Sequence, residues 1–177
     1  MKHDTESALS VLREAVRNEL DGKAMYLQAA ERTEHKLGKD MFRSFAAEEE
    51  QHIHILQAQY AGVNQSGEFI DIEAAQKQPR SPSLMLFPQE QGAIKELVPE
   101  GTTDLEALKL AMDFEQRAVR LYDEAADGTD DPAAQSFFRQ LAEWEGTHYR
   151  ILDNSRDYLA NKGEWYFQEV EMPMYEG

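Results

Sequence analysis

The 177-residue sequence predicts an all-α fold, a four-helix bundle made of two pseudo-symmetric helical hairpins joined by a long crossover, with a short C-terminal extension. Three observations predict it. Four segments carry apolar seams that step alternately by three and four residues, as helices packed along a shared core do. The two halves of the chain repeat one another at a constant offset of 96 positions. Short glycine-bearing connections sit within each half, and one long proline-containing stretch lies between them. A single domain over 1–177 is expected, with hairpin one at about 5–60, crossover at about 61–102, hairpin two at about 103–160 and a tail at about 161–177.

The first seam reads Leu9, Leu12, Val16, Glu19, Lys23, Tyr26, Ala30, and the second Phe42, Phe45, Glu49, His52, Leu56. The third reads Leu105, Leu108, Met112, Glu115, Val119, Tyr122, Ala126, and the fourth Phe138, Leu141, Glu145, His148, Leu152. Gly38 and Gly128 are expected to separate the members of each hairpin. Thr103 and Glu106 match a capping box at the start of the third helix, and Asp131-Pro132 opens the fourth with a good N-cap before a first-turn proline. Pro79, Pro82, Pro88 and Pro99 punctuate the crossover, which has room to run back along the bundle. The tail, with Trp165, Tyr166, Phe167, Met172, Met174 and Tyr175, is expected to pack over the bundle end; a subunit contact is the other reading.

Polar residues in the middle of buried seams are the anomaly. Glu19, Tyr26, Glu49 and His52 recur as Glu115, Tyr122, Glu145 and His148. Residues three apart on a helix share a face, so each Glu-x-x-His pair can approach one point. Four interior carboxylates without counter-charge would each cost several kcal/mol. Lys23 is the only basic residue in the seams, and one ammonium cannot balance four carboxylates. Two divalent cations can. Glu19, Glu49, His52, Glu115, Glu145 and His148 are therefore the candidate metal ligands, with Glu19 and Glu115 expected to bridge. Carboxylate and imidazole without sulfur suit iron, manganese, cobalt or zinc. Tyr26 and Tyr122 are either core tyrosines with satisfied hydroxyls or donors to a ligating carboxylate, and they are the candidate catalytic residues beside the ligands. Lys23 is expected to pair with Glu19. His3, His35 and His54 are expected at the surface, and Glu48, Glu50 and Glu143 in solvent.

Composition excludes several classes. A net charge of −16, with no cluster of Lys and Arg, argues against nucleic acid and anionic membrane as partners. The absence of cysteine removes disulfides, thiolate metal sites and thiol nucleophiles. Met1 to Ser10 lacks the apolar core of a signal peptide and no apolar run approaches membrane-spanning length, so a cytoplasmic location is expected.

With these residues assembled, the chain resembles the rubrerythrin branch of the ferritin-like superfamily. Glu19-to-Tyr26 with Ala29-Ala30, Phe45-to-His52, Ala107-to-Tyr122 with Ala125-Ala126, and Leu141-to-His148 carry the resemblance. It implies two non-haem irons held by the same six ligands, and an oxidoreductase that reduces hydrogen peroxide or O2 in oxidative-stress defence. Rubrerythrins proper also carry a rubredoxin domain with four cysteines. This sequence has none, so the expected electron donor is external, such as a rubredoxin-like protein. Ferrous oxidation with iron storage or delivery, as in ferritin and bacterioferritin, is the alternative. A homodimer is expected, since such bundles often pair along their sides.

Overall fold

The computed structural model describes residues 2–79 and 96–165, with side chains from residue 5 onward. Among these described residues five helices follow in order: α1 Lys2–Arg32, α2 Lys36–Ser66, α3 Ile72–Gln76, α4 Asp104–Asp127 and α5 Pro132–Lys162. The seams settle which residues go inside. Leu12, Val16 and Tyr26 of α1 are fully buried, as are Phe42 and Leu56 of α2, Leu108 and Tyr122 of α4, and Leu141 and Leu152 of α5.

Local signals fix the helix ends. Thr103 accepts the Glu106 amide, and the Glu106 carboxylate accepts from the Thr103 backbone, so the capping box forms as the sequence predicts. Asp131 caps α5 through the Ala133 amide, ahead of Pro132 in the first turn. α2 ends later than expected, at Ser66, where Gly67 adopts a left-handed φ of 77° that few side chains tolerate. The crossover is correspondingly shorter and contains α3, which Asp71 caps.

Gly38 does not separate α1 from α2. The link is Thr33–His35, and Gly38 lies in the first turn of α2. Its missing side chain makes space: a Cβ there would stand 2.6 Å from the Thr33 methyl and 2.7 Å from the Trp165 ring. Trp165 packs over this end of the bundle, edge-on to Phe42 and stacked on His35, and its indole N–H donates to Asp104 at 2.8 Å. Of the tail aromatics, Tyr166, Phe167 and Tyr175 lie outside the described residues, as do Met172 and Met174.

The crossover is tied at both ends. Gln59, fully buried near the end of α2, accepts from the Ile70 amide and donates to its carbonyl. Gln28, near the end of α1, accepts the amides of Leu97 and Val98. The chain therefore leaves α2 at one end of the bundle and returns to start α4 at the other. As a result α1 runs antiparallel to α4, and α2 antiparallel to α5, as a pseudo-two-fold axis across the bundle requires. Two apolar clusters fill the core. One gathers Leu12, Val16, Leu56, Tyr122, Phe138 and Leu141; the other gathers Tyr26, Phe42, Phe45, Leu108, Phe114 and Leu152. Between them lies a polar layer. Among the described residues no helix is long and apolar enough to cross a membrane.

Candidate metal centre

All six sequence-predicted ligands end in that layer, none more than 4% exposed. α1 contributes Glu19, α2 Glu49 and His52, α4 Glu115, and α5 Glu145 and His148. They make two groups. Glu19, Glu49, His52 and Glu145 each offer a ligand atom within 4.8 Å of the others, and so do Glu49, Glu115, Glu145 and His148.

Glu49 and Glu145 belong to both groups, whereas Glu19 and Glu115, the expected bridges, belong to one each. The reason lies in how α2 and α5 face each other across the axis. His52 Nδ1 lies 3.0 Å from Glu145 Oε1, and His148 Nδ1 lies 3.4 Å from Glu49 Oε1. Each imidazole thus meets the carboxylate of the opposite helix as well as its own, at 3.4 Å for Glu49 and 3.2 Å for Glu145. Glu19 and Glu115 approach from the flanks, each at one group only.

The donor set fits cations better than it fits itself. Both oxygens of Glu49, one oxygen each of Glu115 and Glu145, and Nδ1 of His148 are buried with no hydrogen-bond partner among the described residues. Distance and alignment disagree at His148. Its Nδ1 lies within 3.2–3.4 Å of Glu145, Glu49 and Glu115, close enough for ion pairing yet pointed at none of them. Alignment is the better guide, because hydrogen bonds weaken steeply with angle. A buried nitrogen close to three carboxylates and bonded to none is free to serve as a ligand to a shared centre. Four carboxylates balance the charge of two divalent ions, and their hard donors suit iron or manganese.

Left to themselves, the groups compensate one another with protons. Burial, then Glu145 and Glu19, push the Glu49 carboxyl well above its ordinary range. Burial followed by Glu145 raises Glu115 to about 8. Burial disfavours charge on His52, but Glu145 and then Glu19 and Glu49 raise it well above its usual value. His148 behaves alike: burial opposes the rise, and Glu115, Glu145 and Glu48 win. Glu145 is held below the carboxylate range; burial works against this, and His52 and His148 outweigh it.

The tyrosines cross between halves. The Tyr26 hydroxyl donates to Glu115 Oε1, and the Tyr122 hydroxyl to Glu19 Oε1. Each therefore orients the flanking carboxylate of the other hairpin. Burial first, and then the facing carboxylates, raise both phenols well above their ordinary value, so they keep their protons and act as donors.

Several neighbours differ from expectation. Lys23 pairs with Glu50 at 2.5 Å across the α1–α2 groove, not with Glu19, because its side chain points toward the rim where Glu50 stands one residue beyond Glu49. The matching positions in the second half are Val119 and Gly146, and a Cβ at Gly146 would meet nothing within 4 Å. Glu48 is not simply solvated: its Oε2 lies 2.8 Å from His148 Nε2, with the side chain 25% exposed. Sequence reasoning missed it because position 48 lies off the seam; the signal was the broken repeat, where Trp144 stands opposite Glu48. Trp144 instead stacks on His52, with ring centroids 5.1 Å apart and planes 10° from parallel. His54 is buried rather than superficial, flanked by buried Ile53 and Ile55. His35 is exposed and caps α2 by accepting the Leu37 amide. Glu143 is exposed, as expected, and the side chain of His3 lies outside the described residues.

The same fold occurs in a hypothetical protein from Pyrococcus furiosus, with a TM-score of 0.65 and 21% identity over 89% of this chain and 92% of that one. At that identity the likeness shows the fold alone. No curated protein matches the chain. The Rubrerythrin family model matches residues 10–155, well over half the sequence and all six candidate ligands. The chain belongs to the rubrerythrin family.

Proposed function

We propose that this chain is a di-iron oxidoreductase that reduces hydrogen peroxide or O2 with electrons from an external donor. The observation that carries the reading is the pair of buried Glu and His groups that share Glu49 and Glu145. Glu49 and Glu145 would hold both ions, Glu19 and His52 one of them, and Glu115 and His148 the other. Two irons bound there supply the pair of electrons that peroxide reduction consumes.

The remaining work falls to the protein. Tyr26 and Tyr122 hold the flanking carboxylates in place through hydroxyls that keep their protons. The two apolar clusters close the layer above and below, limiting water around the six ligands. The 177 residues include no cysteine, and the electrons that restore the ferrous state would come from a donor outside them.

The test is metal content followed by rapid mixing. Ferrous-loaded protein, prepared without oxygen, is mixed separately with hydrogen peroxide and with O2. Two irons per chain, oxidised once by either and reduced again by an added donor, are expected. Failure to retain iron would end the proposal. Continued consumption of ferrous iron far beyond two per chain would favour storage of the ferritin or bacterioferritin kind.

A further inference from the structure

The two histidines occupy matching places in the repeat, but what lies behind them differs. Behind His148 stands Glu48, with its Oε2 2.8 Å from Nε2, and Phe45 stacks on the ring with centroids 4.7 Å apart. At the place that corresponds to Glu48, 96 positions on, is Trp144, lying flat on His52. We propose that Glu48 is a positioning residue that fixes His148 with Nδ1 toward the centre, making the His148 side the tighter of two unequal metal positions. The inference rests on the metal-centre reading above and asks which half of it binds first.

An imidazole that offers Nδ1 to a metal must carry its proton on Nε2. Glu48 accepts that proton in a hydrogen bond, which selects the tautomer and holds the ring plane. The carboxylate also makes the ring a stronger donor, as acidic partners of ligating histidines do elsewhere. Phe45 then limits tilting from one face. Among the described residues no carboxylate stands behind His52 as Glu48 stands behind His148, and the Trp144 indole there has only a donor and cannot accept a ring N–H. Stacking restrains the His52 plane without choosing its tautomer. The ligand inventories of the two groups are otherwise alike, each with three carboxylates and one imidazole.

Cobalt(II) titration of the full chain tests this, read by visible absorption and calorimetry. The unaltered protein should bind two cobalt ions in two resolved steps. Glu48→Ala should weaken the tight step by roughly 10- to 100-fold and leave the weak one in place. Glu48→Gln, which keeps shape and an accepting oxygen, should recover part of the loss. His148→Ala should remove the tight step, and His52→Ala the weak one. In the zinc-loaded protein, nitrogen NMR should find the His148 proton on Nε2, exchanging slowly with solvent, and exchanging faster in Glu48→Ala. Two equal steps, or a tight step indifferent to both Glu48 variants, would overturn the inference while leaving the metal centre standing. Absence of cobalt binding in the unaltered chain would overturn both.

Discussion

Stripping the metal should make stability fall as pH rises, and loading it should abolish or reverse that slope. Glu115 has a folded value of about 8, raised from 4.5 by burial and then by Glu145. Between those two values the folded chain holds a proton that the unfolded chain has released. Stability from such a group is complete below pH 4.5 and is lost as pH climbs through about 8. One proton corresponds to about 1.4 kcal/mol per pH unit, so the window of Glu115, shared with the buried groups around it, amounts to several kcal/mol. His52, His148 and Glu49 are raised too and act in the same direction, the imidazoles above their ordinary value of 6.5. Glu145 is lowered, so its contribution disappears only in acid, outside this range. A domain with a total of roughly 5–15 kcal/mol cannot absorb such a loss unnoticed. The assay is thermal or urea unfolding of chelator-treated protein from pH 5 to 9, repeated with zinc bound. Metal requires its ligands deprotonated, so affinity grows with pH while the metal-free fold weakens. A metal-free melting temperature that is flat between pH 6 and 8 would refute the claim that protons balance this cluster.

Tyr26→Phe and Tyr122→Phe each leave a buried carboxyl oxygen without its donor, and about 1–3 kcal/mol should be lost from the metal-free protein in each case. Denaturant unfolding measures it; a loss under half a kcal/mol would mean the hydroxyls are spectators. Gly146→Ala should stabilise α5 by up to about 1 kcal/mol, because the added Cβ meets no atom within 4 Å. Destabilisation measured by the same melts would show that another chain approaches this face closely. Gly38→Ala should cost about 1–3 kcal/mol, since Thr33 and the Trp165 ring must both move, and loss of Trp165 fluorescence burial should accompany it.

That six buried Glu and His side chains would converge was legible because helical geometry converts spacing into a shared direction. Glu49 and His52 are three apart, and the offset of 96 repeats the arrangement, so chance coincidence becomes a poor explanation. The capping box and the Asp131-Pro132 start were legible for the same reason: their chemistry is local. What escaped was set by packing between helices. Spacing says nothing about which carboxylate stands nearer the axis, and so the place of Glu49 and Glu145 in both groups depended on which side chains α2 and α5 turn toward each other. Gly38 looks like a break in sequence, but Trp165, more than a hundred positions away, explains why the residue is small. Lys23 was assigned Glu19, one turn away on its own helix, whereas its long side chain reaches Glu50 on the neighbour.

The pattern of symmetry and its breaks carries its own argument. The six candidate ligands and both tyrosines repeat faithfully, and these are the groups on which neutralising the layer depends. A change in one of them would leave a buried charge or an orphaned oxygen, at a cost of several kcal/mol. Glu48 against Trp144, and the Lys23–Glu50 pair against Val119 and Gly146, sit at the rim, where partial exposure makes divergence inexpensive. A duplicated hairpin with identical surroundings would offer two equal positions. Rim residues could make such positions differ in affinity and access without disturbing the six candidate ligands. The inequality between the two halves should therefore be sought one layer out from the ligands, where the repeat fails.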